Sequence, residues 1–252
     1  MTLLKVENLS KQFGSIVANS DVSMVVKPGE IRAVIGPNGA GKTTFFNMIS
    51  GFLRPTSGRI LFDGQDVTHM SPDKRVKIGM ARTFQITEVF PELPVRENLQ
   101  IAVESATGRQ RNIFMSASAR EEVHAEISEF MEMSGLTPNA DRLVGELSHG
   151  DQRTTEIMMA LALKPRLLLL DEPTAGMGDQ ETFEITKLIR KLHRQQKLTI
   201  VLIEHDMRIV FNLADRIMVL AEGKVLAEGT PQEIAANETV QRAYLGTAGE
   251  AA

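Results

Sequence analysis

The sequence predicts an α/β protein built on a mostly parallel central sheet, and three stretches carry that expectation. Ile31 to Ile35 is a short apolar run that opens directly into Gly36-Pro37-Asn38-Gly39-Ala40-Gly41-Lys42-Thr43-Thr44. Leu167 to Leu170 is a second unbroken apolar run, closed by Asp171 and Glu172; Thr199 to Ile203 is a third, closed by Glu204-His205-Asp206. A strand buried on both faces reads as continuous rather than alternating apolar residues. Polar residues at the carboxyl ends of such strands lie where open α/β sheets bind ligands.

The first run is the most informative. Residues 36–43 match G-x-x-x-x-G-K-[ST] between a predicted strand and a predicted helix, the form of a phosphate-binding loop. Glycines at 36, 39 and 41 let successive backbone N–H groups approach phosphate oxygens, and the following helix aims its unpaired N–H groups and positive dipole end at the same anion. Lys42 is placed to reach the β- and γ-phosphates and the Thr43 hydroxyl to ligate Mg2+. The chain is therefore expected to bind a nucleoside triphosphate on a P-loop NTPase core.

In chain order, Leu4, Val6 and Leu9 suggest one strand, and Val22, Met24 and Val26 a half-buried second, as in an N-terminal antiparallel β subdomain. Phe13, in the polar turn Lys11-Gln12-Phe13-Gly14, suits either an adenine stack or a small hairpin core. A helix from Thr43 should stop at Gly51, and Asp63-Gly64 marks a tight hairpin turn. Ser71-Pro72 starts a short helix over 71–80. Phe90-Pro91-Glu92-Leu93-Pro94 breaks regular structure, and an inserted α-helical subdomain is expected over about 86–165, with 104–118 as a mobile loop. Ile185, Leu188, Ile189 and Leu192 form the buried stripe of a later helix, Glu222-Gly223 turns a hairpin, and 247–252 reads as a disordered tail after a single domain over 1–246.

Composition bounds the alternatives. In 252 residues with an apolar fraction of 42% there is ample material for a core. A net charge of −4 without long Lys/Arg blocks argues against a nucleic-acid partner. With no cysteine there is neither a disulfide framework nor a thiolate metal site. The N-terminus lacks the apolar core of a signal peptide, and no apolar run approaches the ~20 residues of a membrane span. Membrane contact must then go through a partner.

A carboxylate closing a buried strand is the second part a phosphate loop needs, because Mg2+ bridging two phosphates requires an anionic anchor; Asp171 fits that role, and Glu172 is placed to polarise water for in-line attack. His205, closing the next strand, could hydrogen-bond the γ-phosphate, although a lone strand-end histidine is more often structural.

With these residues the chain resembles an ATP-binding-cassette (ABC) ATPase over residues 3–246. Gln85 in Arg82-Thr83-Phe84-Gln85 matches the family's Q-loop, Leu147-Ser148-His149-Gly150-Asp151-Gln152 stands in place of its signature, Asp179 lies at its D-loop and His205 is its switch histidine. The resemblance implies ATP and Mg2+ as cofactors, the metal held by Thr43, Gln85 and Asp171, and Glu172, His205 and Gln85 as catalytic. ATP would be held by Phe13, residues 36–44 and, across a head-to-tail dimer with a second ATPase subunit, by Ser148 and Gly150. The signature departs from the family's usual Leu-Ser-Gly-Gly-Gln at His149 and Asp151, and Asp151 would bring a carboxylate near nucleotide, repelling phosphate unless it points toward ribose or the helix backbone.

Within the family the chain is most similar to ATPase subunits of importers for branched-chain amino acids, urea and short amides. Gly79 to Gln85, Glu97-Asn98-Leu99, Asp171 to Met177 and Ala243-Tyr244-Leu245-Gly246 carry that similarity. It implies a cytoplasmic subunit, peripheral on the inner face of the membrane, that docks transmembrane permease subunits around residues 85–94 and serves an extracytoplasmic solute-binding protein. The competing readings are an exporter subunit, a soluble ABC protein of translation or DNA repair, and a kinase or GTPase outside the family. The soluble proteins typically carry two cassettes or a long coiled-coil insertion, and the last group lacks the signature.

Overall fold

A computed structural model describes residues 1–83, 89–107 and 116–245 of the chain. Six strands form the central sheet in the order β10-β9-β3-β8-β7-β6: β3 (Ile31–Ile35), β6 (Met80–Arg82), β7 (Leu167–Asp171), β8 (Thr199–Ile203), β9 (Arg216–Ala221) and β10 (Lys224–Gly229). All neighbours are parallel except the edge pair β10·β9, a hairpin turned at Glu222-Gly223. A second, antiparallel sheet has the order β2-β1-β4-β5, from β1 (Leu4–Phe13), β2 (Ile16–Val26), β4 (Ser57–Phe62) and β5 (Gln65–Asp66). Asp63-Gly64 makes the tight β4–β5 turn.

The continuous apolar strands divide between two cores with the period of two that a pleated strand imposes. Leu168, Leu170, Ile200, Leu202, Ile217 and Val219 face one core, shared with helices α3 (Val95–Thr107), α4 (Ala117–Ser134), α5 (His149–Ala162), α6 (Asp179–Gln196) and α7 (Met207–Leu213). Their sequence neighbours Leu167, Leu169, Val201, Ile203, Met218 and Leu220 face the other core, closed by the antiparallel sheet and by α1 (Lys42–Ser50). Each strand is thus sealed on both faces. This brings the carboxyl ends of β3, β7 and β8 to one edge of the sheet.

The helix from the phosphate loop is pinned at its far end. Gly51 caps α1 in the left-handed conformation, φ 87°. Arg75, fully buried on α2 (Pro72–Lys77), donates to the carbonyls of Met48 (2.9 Å) and Ile49, and to those of Val67 (2.7 Å), Thr68 (3.1 Å) and Met70 (3.0 Å). Burial lowers its pKa to about 10, so the guanidinium stays charged at neutral pH.

Some element bounds differ from expectation. The helix predicted over 71–80 ends at Lys77, and a left-handed Gly79 (φ 97°) turns the chain into β6. β2 begins at Ile16, where the apolar run is exposed rather than alternating. Within the stretch 104–118, residues 104–107 complete α3 and 117–118 begin α4, whose cap is Ser116, while 108–115 lie outside the described residues, as does the tail 247–252. The chain ends, among the described residues, in α8 (Pro231–Ala235) and α9 (Glu238–Leu245). Among those residues no helix is long and apolar enough to cross a membrane.

Candidate functional site

The loop after β3 has the backbone that its glycines predict. Gly39 (φ 78°) and Gly41 (φ 91°) are left-handed, and Gly36 has φ 156°. A Cβ on Gly36 would meet the Leu220 carbonyl at 2.2 Å, and one on Gly41 the Ala18 carbonyl at 2.4 Å, so the loop is seated where only glycine fits. Pro37, Asn38 and Ala40 complete the turn, with the Ala40 N–H on the Pro37 carbonyl at 3.2 Å. No side chain caps α1, whose first N–H groups therefore face the loop's concavity as an anion-receptive end.

Lys42 is folded back on this loop. Its ammonium donates to the carbonyls of Gly36 (2.7 Å) and Pro37 (3.0 Å). Burial pulls its pKa below the ordinary lysine value, and the charges of Glu172 and Asp171 oppose that shift. The loop lysine and the two strand-end carboxylates thus share one electrostatic site. Thr43 is exposed and Thr44 half-buried on the first turn.

Asp171 is buried at the end of β7, and its Oδ2 accepts from Arg82 at 2.7 Å. Its backbone carbonyl accepts from Arg153 at 2.5 Å, and Arg153 in turn pairs with Glu156 at 2.6 Å. Glu172 lies just past the strand with φ 45°, a left-handed conformation uncommon for a non-glycine residue. Its N–H donates to the Ile203 carbonyl at 3.0 Å.

His205 is exposed, and its backbone N–H donates at 3.2 Å to Glu204 Oε2. Glu204 is completely buried, and its Oε1 accepts from the Thr174 N–H (3.1 Å) and hydroxyl (2.7 Å). Burial raises its pKa despite these donors. Sequence reasoning missed Glu204, Arg82 and Arg153. For Glu204 the visible signal was a polar residue closing an apolar strand; Arg82 and Arg153 reach Asp171 across 89 and 18 positions and leave no local signal.

The signature turn runs into α5, which begins at His149, so Gly150 lies inside the helix. Ser148 is its N-cap and accepts from the Asp151 N–H at 3.2 Å. Glu181, on the first turn of α6, accepts from the Gly150 N–H at 3.2 Å, a bond that holds its carboxyl below the ordinary range. Asp151 Oδ2 accepts from the Asn139 side chain at 3.0 Å. Partial burial raises its pKa, partly offset by Arg142. Ser148, Gly150 and Glu181 line a cleft of about 400 Å³ between α5 and α6 whose lining includes no residue of the phosphate loop. One chain therefore presents its loop and its signature turn as separate surfaces.

Phe13 is 48% exposed at the tip of the β1–β2 hairpin, with Lys11 Nζ 5.0 Å from its ring centroid. It does not fill a core. Ile16 and Val17, which the sequence reading passed over, are exposed beside it in the hairpin. Gln85 lies outside the described residues. Phe90 is 46% exposed, and its backbone N–H and carbonyl are both bonded to the buried side chain of Asn98.

A glycine-walled loop running into an uncapped helix, beside a buried strand closed by paired carboxylates, defines a phosphate-loop nucleotide-binding domain; the resemblance places a signature turn on a second face. Residues 19–175 match the family model described as ABC transporter, and residues 224–250 match the one described as branched-chain amino acid ATP-binding cassette transporter. The chain belongs to the ABC transporter family. It is 41% identical over 251 residues to the high-affinity branched-chain amino acid transport ATP-binding protein LivG of Escherichia coli, and 38% identical to BraF of Pseudomonas aeruginosa, covering 98% of each chain in both cases. It is 36% identical to the lipopolysaccharide export system ATP-binding protein LptB of Haemophilus influenzae. Among solved structures, the ADP conformation of an ATP-binding cassette of an ABC transporter superposes with a TM-score of 0.85 at 30% identity, covering 98% of this chain and 99% of that one.

Proposed function

We propose that the chain is the ATP-hydrolysing subunit of a membrane importer for branched-chain amino acids or a related small amino acid or amide solute. The similarity to LivG and BraF over nearly the whole chain, with the C-terminal family match at 224–250, carries the choice of solute class and of import over export.

In this reading the loop residues 36–44 cradle the phosphates, and Lys42 exchanges the carbonyls of Gly36 and Pro37 for phosphate oxygens. The Thr43 hydroxyl and Asp171, together with Gln85, hold Mg2+. When bound, Mg2+ neutralises charge developing between the β- and γ-phosphates. The donor set, a hydroxyl and a carboxylate, fits a hard cation. Glu172 orients and polarises the attacking water, and His205 hydrogen-bonds the γ-phosphate from the end of β8. Phe13 stacks on the base.

Ser148 and Gly150 meet the nucleotide of a second ATPase subunit in a head-to-tail dimer. The surface around 85–94, with exposed Phe90, receives the permease on the cytoplasmic face, and a solute-binding protein delivers solute from outside. Residues about 86–165 act as an inserted helical subdomain within one ATPase domain spanning 1–246.

The test is Mg-ATP hydrolysis by the purified chain as a function of protein concentration, wild type beside Glu172→Gln. Turnover per subunit should climb with concentration, and the variant should lose ~10³-fold in rate while binding ATP normally. Surviving turnover in the variant removes Glu172 as the base. With permease and binding protein reconstituted, leucine-loaded binding protein should stimulate hydrolysis; no stimulation by branched-chain amino acids counts against the solute assignment.

A further inference from the structure

The ion pair between Arg82 and Asp171 takes no part in the steps above, yet it lies on the carboxylate assigned to the metal. Arg82 Nη2 donates to Asp171 Oδ2 at 2.7 Å, and the two side chains are 8% and 2% exposed. Its Nη1 donates to Asn47 Oδ1 and Ser50 Oγ on α1, both at 2.7 Å. The guanidinium also lies over the rings of Phe46 and Phe52, 5.5 and 5.6 Å from their centroids. One side chain therefore ties the helix that leaves the phosphate loop to the strand that carries the carboxylate. A planar fork with several donors can do this while stacking on aromatic faces; an ammonium cannot.

A buried carboxylate is costly without a positive partner. Metal and arginine would act on the same carboxylate, so the arginine both supplies that partner between turnovers and weakens the hold on the metal. We propose that Arg82 is a positioning residue and resident counter-ion for Asp171. It fixes the carboxylate through Oδ2, links it to α1, keeps the buried charge compensated when no Mg-nucleotide is bound, and sets Mg2+ affinity low enough for product release. The inference rests on the reading of Asp171 as the Mg2+ anchor.

The experiment titrates Mg2+ into the full chain saturated with a slowly hydrolysed fluorescent ATP analogue and follows thermal unfolding with and without Mg2+. Arg82→Met should lower the Mg2+ concentration at half-saturation about tenfold, the scale on which a nearby charge shifts an ionic equilibrium. It should also lower Tm without Mg-nucleotide, and Mg-nucleotide should recover more than half of that loss. Arg82→Lys, which keeps the charge, should retain the wild-type Mg2+ half-saturation; Arg82→Gln, neutral but able to bond Asn47 and Ser50, should shift like Arg82→Met and replaces it if that variant does not fold.

An unchanged Mg2+ half-saturation in the neutral variants, or a Tm loss that Mg-nucleotide does not reduce, overturns the proposal and leaves Arg82 a structural residue. Asp171→Asn separates the two layers. If it leaves the Mg2+ dependence intact, the anchor reading fails; if it abolishes that dependence while Arg82→Gln changes nothing, only the counter-ion proposal fails.

Discussion

Two helices of this molecule begin at sites assigned to phosphate, and they begin in opposite states. The first turn of α1 follows left-handed Gly41 with no side chain on its N–H groups, whereas the first turn of α5 is closed by Ser148 on Asp151 and by Glu181 on Gly150. An uncapped helix start built from glycine backbone offers an anion site by itself. A start already satisfied within its own chain offers a site only when an incoming phosphate displaces a local acceptor. The difference fits a division of labour in which the loop captures nucleotide and the signature turn responds to it.

Substituting a glycine at each helix start breaks the comparison most sharply. Gly41→Ala puts a Cβ 2.4 Å from the Ala18 carbonyl at φ 91°, which should cost on the order of 3 kcal/mol and remove nucleotide binding, read by thermal unfolding and by fluorescent-nucleotide titration. Gly150→Ala meets only the Glu181 side chain at 3.2–3.3 Å, outside the left-handed region, and should cost less than ~1 kcal/mol with monomer nucleotide affinity unchanged. Ser148→Ala removes the α5 cap and should destabilise the chain by about 1 kcal/mol in urea denaturation, again without touching the loop.

The smallest effect concerns Asp151. Its carboxyl pKa is raised above 3.8 by burial, so its protonated form is favoured in the folded chain, and its contribution to stability is lost as pH rises through the raised value. Asp151→Asn should match wild type below about pH 3.5 and exceed it by a few tenths of a kcal/mol at neutral pH, the size that solvent screening leaves to a half-buried group. ATP affinity should not change, because the side chain is engaged with Asn139. An affinity gain would mean that the carboxylate does turn toward phosphate.

The parts of the site that were legible in the sequence are contiguous. The loop at 36–44 carries its own turn, and each buried strand announces its functional end by the residue that stops the apolar run. What stayed hidden depends on contacts between distant residues. Arg82 finds Asp171 across 89 positions, Glu181 reaches Gly150 across 31, and Glu204 holds Thr174 across 30. β6 escaped notice because three residues cannot show a period, and its pairing with β7 is non-local. The Asn139 partner of Asp151 was hidden for the same reason, lying twelve residues away. The fold class needed no such contacts, because two-faced burial of parallel strands is written in composition.

Arg75 sets a boundary on what can move. By bonding five carbonyls from the end of α1 and the turn after β5, it leaves that helix no inexpensive way to unwind or slide at its far end. The amides of α1 beyond its unbonded first turn should therefore be among the last in the chain to exchange with deuterium, opening only with global unfolding. Rearrangement during a cycle of hydrolysis must then be borne by side chains and by other segments, with the cradle as the fixed frame of reference.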